Sequence, residues 1–317
     1  MTRADRIAGC LYGAAIGDAL GSAFEFVTSD AIERRLGEPV VRGYLPAAPH
    51  SLLHPREPGR PTDDTAMALS VACALSCGEP PTPELFSRRF LADLDREHGR
   101  FGKMFWTGGP GGATTRSLSR LQRGADPATC GHPEDGGNGA AMRVHPVGFL
   151  ADRAAVLAVA AMQARVTHGH PAAVAAAAAV AVLVHDALRG AAPSLDVPAG
   201  ITDAAFARSW RELHADLALS GLRLPGRLRN VAMSGWETVA AAHAIAACFP
   251  GDPVAAIGAA AASGGDTDTV ATITGAIVGA RYGIAALPQA WIDGLAARAL
   301  VENVLQEVLA RLGEAIP

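Results

Sequence analysis

The sequence of 317 residues predicts an all-α fold in a single domain, and three observations lead there. Apolar and polar residues almost nowhere alternate with the period of two that a half-buried strand needs. Half of the residues are apolar but only 5% are aromatic, so the core has to be built from Ala, Val, Leu and Ile. The long apolar runs also begin at Thr, Asp, Ser or Pro, the residues that favour helix N-termini.

Gly9, Gly13, Gly17 and Gly21 recur every fourth residue and would form one smooth ridge on a helix, open to close approach by another helix. Asp18 and Glu25 favour a buried helix over a membrane dimer. Arg3 and Arg6 ahead of residues 7–16 imitate a secretory leader, but no apolar region precedes Cys10 and Asp5 weakens the basic end. The helix should end near Gly21, leaving residues 22–26 as a loop or last turn, with Glu25 an acid between Phe24 and Phe26. Residues 37–61 are an irregular, Pro- and Gly-rich connection, in which Pro49 and Pro55 argue against His50 and His54 as a helical metal pair.

Helices are expected over residues 66–77 and 83–95, the second capped by Thr82 with Pro83 at its first position. Thr107-Gly108-Gly109-Pro110-Gly111-Gly112-Ala113-Thr114-Thr115-Arg116 then leads into a helix through Leu121. Such a loop exposes backbone N–H groups that suit a phosphate, although its spacing matches no nucleotide fingerprint. A second Gly-rich turn, residues 135–146, places Asn138 and Gly139 where positive φ is easily adopted. Residues 151–189 are Ala-rich and helical, broken at Thr167-His168-Gly169-His170-Pro171, with His168 either a loop ligand for a base or ribose or a structural His. Residues 190–230 carry little signal; Arg208, Arg211, Arg223, Arg227 and Arg229 read as a solvated face. Helices follow over 231–248, 253–262, 270–282 and 288–312.

The formal charge is −4, and no Lys or Arg block suggests a nucleic-acid groove. Five cysteines without a regular framework argue against a disulfide scaffold, and Cys73 and Cys77 read as core on one helix face. The most apolar run, 172–184, is too short for a membrane span. A soluble, cytoplasmic protein is expected.

The chemistry concentrates at two helix starts. Thr62-Asp63-Asp64-Thr65 precedes the 66–77 run, and Gly264-Gly265-Asp266-Thr267-Asp268-Thr269 precedes the 270–282 run. A cap needs one such residue, not four. Clustered carboxylates repel, and a hard divalent cation with a taste for carboxylate, hydroxyl and water oxygen would remove that repulsion. The two tips are therefore expected to meet at one end of the bundle and hold one or two ions.

These motifs, with Gly17-Asp18-Ala19-Leu20-Gly21 and Gly137-Asn138-Gly139-Ala140-Ala141-Met142-Arg143, occur in the order found in ADP-ribosylglycohydrolases of the dinitrogenase-reductase-activating type, which the chain resembles from about residue 7 to 283. The resemblance implies a compact orthogonal all-α bundle and a centre of two Mg²⁺ or Mn²⁺ ions. It implies hydrolysis of the bond between ADP-ribose and an acceptor, with ADP-ribose as product and nucleic acid a partner only as an ADP-ribosylated substrate. Carried over, the metal ligands are Thr62, Asp63, Asp64, Asp266, Asp268 and Thr269. Gly109, Gly111, Gly112 and Thr114 would bind the diphosphate, Asn138, Gly139 and Ala140 the ribose, and His168 would lie near the adenosine. Glu25 matches a Glu that closes over the metals in serine-directed relatives; Asp63 or Asp268 would handle the proton. The 107–115 loop lacks the extra acid of many arginine-directed members, leaving serine, another O-linked acceptor or a free metabolite open. A phosphohydrolase, a nucleoside hydrolase or a silent ADP-ribose binder are the competing readings.

Overall fold

The computed structural model describes residues 1–215, 217, 224 and 226–315. Among these residues there are fourteen α-helices and no β-strand. Helix α1 (Arg3–Gly21) runs into a 3-10 turn, Ser22–Phe24, and then α2 (Ser29–Leu36). After the irregular 37–61 connection come α3 (Asp63–Ser76), α4 (Pro83–Asp93), α5 (Gly102–Thr107) and α6 (Gly112–Gln122). The middle of the chain forms α7 (Arg153–Arg165), α8 (Pro171–Leu188), α9 (Ala204–His214) and α10 (Gly235–Cys248). It closes with α11 (Pro253–Ala261), α12 (Thr267–Tyr282), α13 (Gln289–Gly294) and α14 (Arg298–Leu312).

The centre is the α1–α12 pair. A Cβ on Gly9, Gly13, Gly17 or Gly21 would run into the carbonyl oxygen of Gly279, Gly275, Ala271 or Thr267 respectively. The contact is reciprocal, since Gly275 and Gly279 meet the carbonyls of Gly13 and Gly9. The fourfold glycine ridge is thus the face on which two backbones touch. α8, α10, α11 and α14 pack around this pair, filling the space with Ala, Val, Leu and Ile.

Several boundaries differ from expectation for local reasons. α10 begins at Gly235 rather than 231, because Val231 pairs with Gly265 and Ser234 with Gly137. The 288–312 segment is two helices, since the chain breaks after Gly294 and the Ala296 N–H turns to the Gly59 carbonyl. α8 is 18 residues long, so it, like the 22-residue Arg3–Phe24 stretch, reaches membrane-crossing length and apolarity; the first is 78% and the second 100% buried within the protein. Cys77 is exposed rather than core, beyond the last turn of α3, while Cys73 is buried as expected. Arg208, Arg211 and Arg227 are exposed, but Arg229 ties back to α2 through Asp30 (2.7 Å) and Glu33 (3.4 Å); Arg223 lies outside the described residues.

Candidate active site

Two helix N-termini carry the acids. At α3, the Thr62 hydroxyl accepts from the Asp64 N–H at 3.2 Å, a side-chain cap. The tip is anchored from behind by Asp18 of α1, fully buried, which accepts from the N–H groups of Thr62 (2.9 Å) and Thr65 (3.0 Å) and from the Thr65 hydroxyl (2.5 Å). At α12, Gly264 and Gly265 both have φ near +80°, a conformation that favours glycine, and a Cβ on either would meet backbone. The Phe26 N–H donates to the Gly265 carbonyl (2.7 Å) and the Gly265 N–H to that of Val27 (3.2 Å). This backbone exchange delivers Glu25 to the start of α12.

Glu25, Asp266 and Asp268 consequently offer carboxylate oxygens within 4.8 Å of one another, and all three are buried. Asp63, Asp64 and Thr269 line the same cavity, of about 300 Å³, together with Gly109, Gly111, Gly112, Thr114, Asn138, Gly139 and His168. The acidic tips therefore meet as expected. Glu25 is a full member of the cluster rather than an acid among phenylalanines: Phe26 is 43% exposed, and the neighbours of the carboxyl are other carboxyls. Burial, then Asp266, Asp63 and Asp18, push Glu25 up to about 8. Burial, then Asp18, does the same for Asp63, also to about 8. Asp64 and Asp268 are likewise raised, by burial first and by neighbouring acids second.

The remaining wall is mixed: neutral polar groups, Arg116, Glu134 and Asp135, and the apolar Met142 and Met233. Asn138 Nδ2 donates to Asp266 Oδ2 at 2.6 Å and to the Thr238 hydroxyl at 3.2 Å. Neither Asn138 nor Gly139 adopts positive φ, contrary to expectation; the only such non-glycine residues among those described are Phe26 and Asn230. Gly139 is needed for room instead, since a Cβ there would lie 2.9 Å from the His168 ring and 3.2 Å from the Thr114 hydroxyl. His168 is buried with Nδ1 2.8 Å from the Thr167 hydroxyl, and burial, then Arg143 and Arg116, hold it neutral, down to about 3. Two sequence assignments are off the wall. Ala140 is fully buried with its carbonyl bonded by Gln163 Nε2 (3.2 Å), and Thr62 is buried behind Asp64.

The Gly-rich loop ends at α6, whose N-cap is Gly111 and which has no side-chain cap. Its first N–H groups stand free at the cavity. A Cβ on Gly111 would meet nothing within 4 Å, so the protein itself does not require glycine there. Arg116 reaches Asp135 (2.7 Å) at the edge.

Besides Asp18, two residues outside the predicted set hold the site in place. Arg56 donates to the carbonyls of Arg60 (3.1 Å), Thr107 (2.8 Å) and Pro61, which belong to the two segments carrying the α3 tip and the Gly-rich loop. Arg143, wholly buried, bonds Gln163 and the Thr167 hydroxyl (2.7 Å) and lies over the Phe90 ring. Its place beside the Gly-Asn-Gly motif was the one sequence signal; Arg56, in the irregular connection, gave none.

A sequence model of the family described as ADP-ribosylglycohydrolase matches residues 1–316. The ADP-ribosyl-[dinitrogen reductase] glycohydrolase of Rhodospirillum rubrum is 27% identical over 92% of this chain and 90% of its own. The ADP-ribosylarginine hydrolase Tri1 of Serratia proteamaculans is 27% identical over 96% of this chain and 79% of its own. A solved structure described as an ADP-ribosylglycohydrolase-related protein complex superposes with a TM-score of 0.76 at 29% identity, covering 98% of each chain.

Proposed function

The chain belongs to the ADP-ribosylglycohydrolase family, and from that membership we propose a hydrolase that uses Mg²⁺ or Mn²⁺ to cleave the bond between ADP-ribose and an acceptor, releasing ADP-ribose. The observation that carries the metal is the convergence of Glu25, Asp266 and Asp268 within 4.8 Å. Two buried oxygens at this site, Glu25 Oε2 and Asp64 Oδ2, have no hydrogen-bond partner, which fits a donor set awaiting a cation. Every donor is oxygen, as hard divalent ions require. Asp63, Asp64, Asp266, Asp268 and Thr269 would hold two ions, with Glu25 as an added ligand. When bound, such ions supply Lewis acidity toward the ribose hydroxyls and the attacking water.

The rest is done by the chain itself. The uncapped first turn of α6 receives the diphosphate, and the bare Gly111 lets backbone approach it. His168, neutral and held at Nδ1 by Thr167, offers an uncharged ring edge to the adenosine end. Asn138 holds Asp266 in one orientation. The carboxylates stabilise positive charge growing at C1″ as the acceptor departs. Water forms the new C1″–O bond, its proton passing to Glu25, Asp63 or Asp268, and the acceptor leaves with a proton. One hydrophobic cluster from Ala4 to Leu309 supports reading the chain as one domain.

One relative is named for arginine, yet the 107–115 loop contributes no acid, so a cationic acceptor would have to meet Glu25 or Glu134, both on the cavity wall. The test is ADP-ribose release in Mg²⁺, with and without chelator, from arginine-, serine- and nucleic-acid-linked substrates. Release from one, abolished by chelator and lowered on the order of a hundredfold by Asp266→Asn, is expected. Hydrolysis and metal affinity unchanged in Asp266→Asn would falsify the scheme; phosphate or free base as product would move the chain to a different reaction.

A further inference from the structure

A second cavity, of about 370 Å³, shares a wall with the first: Pro61 and Thr107 face it, while Asp63 and Gly109 face the acids. Its charged lining is entirely cationic, Arg56, Arg60, Arg100 and Lys103, over an apolar floor that includes Phe101, Met104 and Leu300. This stands out in a chain of net charge −4 whose only lysine is Lys103. Arg100 is partly neutralised by Glu307 at 2.8 Å. Arg56 spends its N–H groups on neutral carbonyls and forms no ion pair within 4.0 Å among the described residues, although Asp18, Asp268 and Glu25 act on its charge from the acid cluster. The side chains of Arg60 and Lys103 have no hydrogen-bond or ion-pair partner among the described residues. Cations gathered around one concavity repel one another unless an anion joins them.

We propose that this cavity binds a diphosphate or polyphosphate group, at a site separate from the acid-lined one. Several charges have to be matched within one cavity, and a diphosphate carries several on adjacent tetrahedral centres. Guanidinium forks pair with phosphate oxygens in bidentate fashion, and the lysine adds a mobile point charge. The apolar floor leaves room for a base if the group is part of a nucleotide.

The test is calorimetric titration of pyrophosphate into the full chain without divalent cations. Wild type is compared with the Arg60→Ala/Lys103→Ala double variant, and with Arg116→Ala at the other cavity. The expected result is a binding event weakened about tenfold or more by the double substitution, kept in Arg116→Ala, and weakened by added salt. Parallel titrations separate the sources: ADP binding more tightly than pyrophosphate assigns a nucleotide, and equal binding assigns the diphosphate alone. Both substituted side chains are exposed, so thermal unfolding close to wild type is expected and serves as the folding control. Pyrophosphate binding equally to wild type and double variant, or not at all to wild type, overturns the inference.

Discussion

Arg56 illustrates how one side chain can matter without touching a substrate. Its three contacts, to Arg60, Pro61 and Thr107, fasten the α3 tip to the Gly-rich loop. Arg56→Lys keeps the charge and loses the fork, so turnover and divalent affinity should both fall roughly tenfold while the fold survives. Unchanged kinetics and metal titration in that variant would remove Arg56 from the site. Gly139→Ala acts differently. Its Cβ displaces the His168 ring, so KM should rise several-fold with kcat far less affected in steady-state assays. At this scale the sequence was legible where chemistry was in surplus: four polar residues at one cap pointed to Asp63, Asp64, Asp266 and Asp268. Glu25 was placed at the site only by the family resemblance and not by its own neighbours in sequence, because its position depends on backbone bonds between residues 26–27 and Gly265, far apart in the chain. Asp18 was read as a sign of burial and as part of a family signature, but not as the anchor of the α3 tip that it is.

Helices obey a different economy of space. Where α1 crosses α12, the glycine carbonyls leave no volume for a methyl group, so Gly13→Leu should prevent folding rather than merely weaken it. Gly78→Ala, at an open position with φ of +89°, should cost only about 1 kcal/mol through backbone strain. Thermal unfolding of the two variants checks the contrast, and similar losses in both would mean that the contact is softer than its geometry. The glycine ridge was visible as a fourfold period, and the start of α4 followed from Thr82 and Pro83. α2, α5 and α9 were missed, and the break between α13 and α14 was not foreseen. The three are 6 to 11 residues long; α5 packs on α3 and α9 on α10, contacts that local pattern does not encode, while α2 lies between a Thr28 cap and a left-handed Gly37.

For the whole molecule, concentrated charge should appear as stability. Cation binding relieves the crowding of Glu25, Asp266 and Asp268, so Mg²⁺ or Mn²⁺ should raise the unfolding temperature and chelator reverse it. An unmoved transition in saturating Mn²⁺ would contradict a metal centre. Far from that cluster, His243 lies 2.8 Å from His214, and burial, then His214 and Arg281, hold it down to about 3. The unfolded chain therefore binds the extra proton first. The contribution is complete above pH 6.5 and is lost as pH falls toward 3, on the order of 1–3 kcal/mol by pH 4. His243→Gln should flatten denaturant stability between pH 6.5 and 4; an unaltered slope would count against this assignment. The α1–α12 contact also has a consequence in time. The Thr267 hydroxyl bonds the Gly21 carbonyl across 246 residues of chain. A ribosome takes roughly ten to fifty seconds to cover that distance. Throughout that interval an apolar helix, later wholly enclosed, waits in the cell without the surface it was shaped for, and nascent chains halted before residue 267 should be found on chaperones.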